Sequence, residues 1–208
     1  LFRSVAAITS TFTQGNLTHV ENPFSVALEG DGFFQIRTES GELQYTRDGS
    51  FEISPVANGN MLCTSDGNPV LDAYGNQIIL PSNRVATDLV VNQDGTLAFP
   101  DGTGNPAVIT DANGRPVKFG IYQFNNPAGL SKEGSNNYSV TVASGAAVAE
   151  NGNAAVKQTK THQYYTEASN VDVANEMVNL IVAQRAYEMN SKAIQASDEM
   201  MQQANALR

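Results

Sequence analysis

Few residues in this chain have the type and spacing to do chemistry. Its two histidines, His19 and His162, and its single cysteine, Cys63, are the candidates for a metal site or a nucleophile–base pair. None stands at the short offset from another that metal ligands use, so the histidines read as surface or interface residues. Cys63 with a distant histidine could make a thiolate nucleophile, but a lone thiol reads more simply as a small buried side chain. With one cysteine there is no intrachain disulfide, which excludes a disulfide-stapled scaffold. There is no Gly-x-Ser-x-Gly elbow and no phosphate-cradling glycine loop followed by lysine. Asn92-x-Asp94-Gly95 and Asp66-Gly67-Asn68 offer calcium-type oxygens. They lack the one-three-five ligand series and the closing glutamate, and read as hairpin turns. A hydrolase would need two carboxylates paired in a cleft, and no local motif supplies one. The expectation is no enzyme, no cofactor, no metal and no small-molecule substrate.

The totals bound the rest. The chain has 208 residues, 41% of them hydrophobic and 16% charged, with a formal net charge of −9. That length suffices for one domain or two small ones. The acidic balance repels phosphates, against a nucleic-acid or anionic-membrane surface. No apolar run approaches the ~18 residues of a membrane span, and no cleavable signal is visible.

Most of the chain must form strands. Residues 1–32 read as an N-proximal extended segment, with an apolar run at Val5-Ala6-Ala7-Ile8, extended chain from Thr11 to Leu17 turning at Gly15-Asn16, and a short strand at Val26-Ala27-Leu28. Residues 33–142 read as a β-rich body. Phe33-Phe34-Gln35-Ile36 and Leu43-Gln44-Tyr45-Thr46-Arg47 flank Ser40-Gly41 as a hairpin, and Ser50 to Ile53 follows Asp48-Gly49. Further strands are expected at Gln77–Leu80, Asp88–Val91, Thr96–Phe99 and Val117–Phe124. Asp-Gly or Asn-Gly pairs, which supply the positive φ of tight turns, recur at Asn58-Gly59, Asp66-Gly67, Asp94-Gly95, Asp101-Gly102 and Asn113-Gly114. This spacing predicts a compact sandwich- or barrel-like β body. Residues 143–168 are a return segment, with a strand between Val156 and Tyr165.

The last stretch, 169–208, predicts one long helix. From Val173 to Leu207 there is neither proline nor glycine. Val173, Leu180, Tyr187, Ile194 and Met201 recur every seven residues, beside Ala186, Ala193, Met200 and Leu207 and a line of Ala183, Asn190, Ser197 and Ala204. This is an apolar stripe flanked by small side chains, suited to close helix packing of coiled-coil type. Asn170 or Asp172 is a plausible N-cap, Glu176 favours the first turn, and Glu188–Lys192 is an i,i+4 pair. At 1.5 Å per residue the helix spans roughly 50 Å. It could lie over its own β body, but its length and spacing favour a partner outside the chain. Met177, Leu180, Ala183, Ala186, Tyr187, Ala193, Ile194 and Met201 are the expected packing residues. Gly15, Gly30, Gly32 and Gly49 are the expected structural turns.

Four blocks carry a resemblance: Thr11-Phe12-Thr13-Gln14-Gly15-Asn16-Leu17, Asn22 through Phe34, Tyr45-Thr46-Arg47-Asp48-Gly49-Ser50-Phe51, and Ser169-Asn170-Val171-Asp172 with Glu176 through Glu188. Together they resemble the bacterial flagellar rod and hook axial proteins, most of all the distal-rod branch. The resemblance implies a helically self-assembling homopolymer around an export channel, transmitting torque from motor to hook. It implies other rod proteins, the hook and surrounding bushing rings as partners. It also implies type III export without a cleaved signal, and a place in the basal body outside the cytoplasmic membrane. In that family an N-terminal helix pairs with the C-terminal one; no such pattern occurs here, so the expectation is that it precedes Leu1. A proximal rod or hook subunit is the near alternative. The alternative of another class is a β-rich surface binding module with an oligomerising helix. It would need Tyr45, Tyr74, Tyr122, Tyr138 and Tyr164-Tyr165 as an exposed platform.

Overall fold

A computed structural model of the chain describes residues 10–101, 106–111, 113–153 and 155–206, except for the side chain of Ala204. The expected apolar run Val5-Ala6-Ala7-Ile8, the glycine of Asp101-Gly102 and Leu207 fall outside the described residues. The chain divides into two units, residues 1–169 and 170–208.

The first unit is built of short strands because the sequence turns so often. In chain order they are β1 (Leu17–His19), β2 (Val26–Glu29), β3 (Phe33–Arg37), β4 (Leu43–Thr46), β5 (Glu52–Val56), β6 (Gly59–Cys63), β7 (Ile79–Leu80) and β8 (Val90–Val91). There follow β9 (Leu97–Pro100), β10 (Pro106–Val108), β11 (Ile121–Gln123), β12 (Ser131–Gly134), β13 (Asn137–Ser139), β14 (Val148–Ala149), β15 (Lys160–Gln163) and β16 (Tyr165–Glu167). The largest sheet runs β12-β13-β4-β3-β11-β14. Smaller ones are β10-β9-β8, β5-β6-β7, β15-β2 and β1-β16. The named strand pairs are antiparallel, and no sheet closes into a barrel.

β3 shows where the core sits. Side chains alternate across a strand, yet Phe33, Phe34, Gln35 and Ile36 are all buried. Phe34 and Ile36 enter one core with Val26, Leu28, Phe51, Leu62, Val70 and Phe119. Phe33, on the other face, enters a second with Tyr45, Phe124 and Leu130, joined by Phe12, Tyr122 and Tyr138. Rings meet edge to face in both, as Phe34–Phe51 at 5.0 Å and Phe12–Phe33 at 5.4 Å. Gln35 shares the second face and donates to Tyr45 Oη. The central strand is thus covered on both sides, which removes the polar–apolar alternation of a half-exposed strand.

Five hairpins share one geometry. In Thr38–Glu42, Thr64–Asn68, Asp72–Asn76, Asn92–Thr96 and Asp111–Arg115 the fourth residue is glycine, and its N–H donates to the first residue's carbonyl. The first residue's N–H donates to the fifth residue's carbonyl. The glycines, Gly41, Gly67, Gly75, Gly95 and Gly114, have φ between 75° and 87°. These are three-residue loops closed by a left-handed glycine, the kind classically built on a type I turn. The Asp-Gly and Asn-Gly pairs at 66–67, 94–95 and 113–114 therefore end three-residue loops rather than forming two-residue ones. At Asn58-Gly59 the loop is Ala57-Asn58, and Gly59 already belongs to β6. Ser135-Asn136, with φ of 46° and 61°, forms the two-residue turn between β12 and β13 without glycine.

The second unit is one α-helix, α1 (Val173–Ala206), of 34 residues. Asp172 caps it: its Oδ1 accepts from Ala174 N–H at 2.9 Å. Glu176 lies in the first turn, where a carboxylate suits the helix dipole. The expected Glu188–Lys192 pairing is replaced by a long Arg185–Glu188 contact of 3.9 Å. Three residues apart suffices for such a pair on a helix surface.

Candidate functional site: the terminal helix and the chain's entry and exit

The candidate surface of α1 is apolar. Leu180 is 58% exposed, Tyr187 78% and Ile194 64%, and Met177 and Met201 are likewise exposed. Ala183, Ala186 and Ala193 lie along the lines beside them and are exposed too. Sequence spacing drew attention to one stripe, but Val178, Ile181, Val182 and Met189 are also exposed and lie off it. Between Met177 and Val182 apolar side chains therefore point around most of the helix. That is wider than the single apolar stripe of a helix packed on one side.

The expected turn glycines gather where the chain enters and leaves the β body. A Cβ on Gly15 would collide with the Ala168 carbonyl oxygen, and one on Gly49 with that of Val26. A Cβ on Gly32 would sit 2.7 Å from Thr159 Oγ1 and 2.9 Å from Glu150 Oε1. Gly30 alone of the four has positive φ, 138°. Gly15 and Gly49 are sites of close approach by another backbone segment and Gly32 of close approach by side chains, roles that sequence did not reveal. Beside them, Arg47 donates to Gly30 O at 2.9 Å and to Glu167 Oε2 at 2.9 Å.

Cys63, His162 and His19 each have partners of their own, and both histidines pack against Tyr165. Cys63 is buried, donates weakly to Glu52 O, and is pushed above its ordinary pKa by burial and then by Glu52. Its thiolate is disfavoured. His162 pairs with Glu29, Nε2 to Oε2 at 2.7 Å, and this contact first of all lowers the Glu29 pKa. His19 packs on Tyr165 and Tyr164. Among the described residues no three histidines, cysteines or carboxylates gather as metal ligands. A surface cleft of about 450 Å³ includes Glu39, Asp66, Arg37 and Gln77 in its lining. Its Arg37 is already engaged with the Gly75 carbonyl. Of the tyrosines, Tyr45 is buried, Tyr122, Tyr138 and Tyr165 are half-buried, Tyr74 is exposed but lies beneath the Arg115 guanidinium at 3.9 Å, and Tyr164 is exposed. No described helix is long and apolar enough to cross a membrane.

The described chain is thus of the mainly β class, a scaffold with two aromatic cores and one long helix with apolar side chains on several sides. Residues 27–99 match the flagellar hook protein FlgE/F/G D1 domain, and residues 162–207 match the C-terminal region of flagellar basal-body rod FlgEFG proteins. The flagellar basal-body rod protein FlgG of Borreliella burgdorferi is 38% identical over 98% of this chain and 72% of its own length. FlgG of Buchnera aphidicola is 37% identical, over 94% of this chain and 69% of its own length. A flagellar hook-basal body complex protein of Bacillus subtilis, FlhP, is 34% identical over the same shares. The chain belongs to the FlgG-type flagellar basal-body rod protein family, a family of structural proteins.

Proposed function

We propose that this chain is a structural subunit of the flagellar basal-body rod, in its distal part, and that α1 is its assembly element. Similarity to rod proteins named FlgG supports the place in the rod. The observation that carries the assembly role is a 34-residue helix with Leu180, Tyr187, Ile194 and Met201 all more than half exposed. Each such side chain, once buried, contributes ~1.5–3 kcal/mol. Met177, Leu180, Tyr187, Ile194 and Met201 are the anchors, and Ala183, Ala186 and Ala193 let helices approach closely. Subunits stack head to tail through contacts that do not close, which yields a filament rather than a ring. Helices line the inner tube around the export channel, β bodies form the wall, and torque passes from motor to hook. Its partners are further copies, other rod proteins, the hook and the bushing rings, outside the cytoplasmic membrane. The reading involves no nucleic acid, substrate or cofactor.

The test is the double substitution Leu180→Asp with Ile194→Asp. It is expected to abolish rod assembly and motility while the β body keeps its thermal transition. Normal rods in cells carrying this variant would refute the role of the helix.

A further inference from the structure

Arg47 is the point at which both ends of the β body are tied. Its side chain and that of Glu167, 120 positions away, are each only 13% exposed. The guanidinium donates through Nε and Nη2 to Glu167 Oε2 at 3.1 and 2.9 Å, and through Nη1 to Gly30 O at 2.9 Å and Gly32 O at 3.2 Å. Nη2 also approaches Gln14 Oε1 at 3.4 Å. Its carbon end lies over the Phe33 ring.

The incoming chain is held by the same group of residues. Gln14 Nε2 donates to Leu28 O, and its Oε1 accepts from Gly30 N–H. Gly15 N–H donates to Glu167 Oε1 at 2.9 Å. Next to this, β1 and β16 pair as a two-stranded ribbon, Leu17 opposite Glu167 and His19 opposite Tyr165. Val20 N–H donates to Tyr164 O at one end of the ribbon and Ala168 N–H to Asn16 O at the other. Two strands of three residues are not stable alone. The Tyr164 N–H bond to Ser25 O holds the ribbon to the body at one end, and at the other Arg47 joins Glu167 of β16 and Gln14 before β1 to the β2–β3 turn.

We propose that Arg47 is a positioning residue that clamps the β1–β16 ribbon to the β2–β3 turn, fixing where the incoming and outgoing strands run at the edge of the β body. This rests on the rod reading: in a shaft under torsion, load that reaches the β body along either strand of the ribbon then meets a clamped pair and not a loose one. The fork of donors is essential. Only a planar guanidinium serves Glu167, Gly30 and Gly32 together, whereas a lysine ammonium is a single point. The pair is a device of geometry more than of stability, because desolvation offsets much of the attraction within a buried ion pair.

Hydrogen exchange on the full chain tests this. In Arg47→Met, exchange at the Val20 and Ala168 amides is expected to rise at least tenfold. The amides of Gln35 and Leu71, bonded within the body to Gly120 O and Gln35 O, are expected to stay unchanged. Arg47→Lys is expected to behave like Arg47→Met. Wild-type protection of the ribbon in either variant, or an equal rise at Gln35 and Leu71, would overturn the clamp. Should Arg47→Met not fold, Glu167→Gln decides: a rise of at least threefold confined to Val20 and Ala168 supports the clamp, and unchanged exchange there overturns it. These readings are made on the unassembled chain. They can fail while the Leu180→Asp, Ile194→Asp experiment succeeds, and the reverse.

Discussion

At the scale of single residues, buried or engaged carboxylates stabilise the β body. Glu150 is 4% exposed and accepts from Thr159 N–H at 2.7 Å, Thr159 Oγ1 at 2.6 Å and Gln123 Nε2 at 2.8 Å. Truncation strands the two Thr159 donors, each at ~1–3 kcal/mol, and leaves Gln123 Nε2 with the Lys157 carbonyl alone. Glu150→Ala is therefore expected to destabilise the body by about 3 kcal/mol in urea unfolding. Asp111 is held at a pKa of about 2, from an ordinary 3.8, chiefly by the backbone N–H of Arg115 and then by its side chain and the Asn113 N–H. A depressed acid contributes stability above its unfolded value and loses it as pH falls through the folded one. The Asp111–Arg115 hairpin is thus expected to keep its order at pH 4 and lose it near pH 2. A carbon-detected titration of the Asp111 carboxyl checks this, and a midpoint near 4 would refute it. None of these partnerships was legible beforehand. The Asp111 contacts and the Glu150–Thr159 contacts are near in sequence, but Glu150–Gln123 and Arg47–Glu167 join residues that only the fold brings together.

At the scale of elements, the long helix and the hairpins were written plainly in the sequence. Neither glycine nor proline interrupts Val173 to Leu207, and the observed α1 ends at Ala206, the last described residue. The hairpins announced themselves through glycine, yet their loop length did not, because Asp-Gly suits both two- and three-residue loops. Tyr74-Gly75 was overlooked since its turn-forming aspartate, Asp72, stands two residues before the tyrosine, accepting from Tyr74 and Asn76 N–H. The return strand is split into β15 and β16 by Tyr164, at a φ of 65°. That break lets one segment pair first with β2 and then with β1, a change of partner that no periodicity encodes. Two kinds of glycine differ in consequence. Gly67→Ala meets open space and only backbone strain, costing ~1–2 kcal/mol. Gly49→Ala drives a methyl into the Val26 carbonyl and is expected to cost ~3 kcal/mol or more. Thermal melts of the two variants side by side measure the difference.

At the scale of the whole molecule, the two units answer to different forces. The first has its own cores, and the second is a helix that cannot bury its own apolar faces. The lone helix gains little from propensity, since most helical stability in proteins comes from packing. Amides of α1 are accordingly expected to exchange far faster than those of Gln35 and Leu71 in dilute solution, and to gain protection as concentration rises. Concentration-independent protection of the helix would contradict an assembly role. The body's sheet edges carry a further consequence. β5 holds Pro55, β10 begins at Pro106, and β12 places Lys132 and Glu133 beside an irregular register. Prolines and charges on a border strand refuse another chain's hydrogen bonds. Those three borders of the β body are thereby guarded against amyloid-like accretion onto another copy.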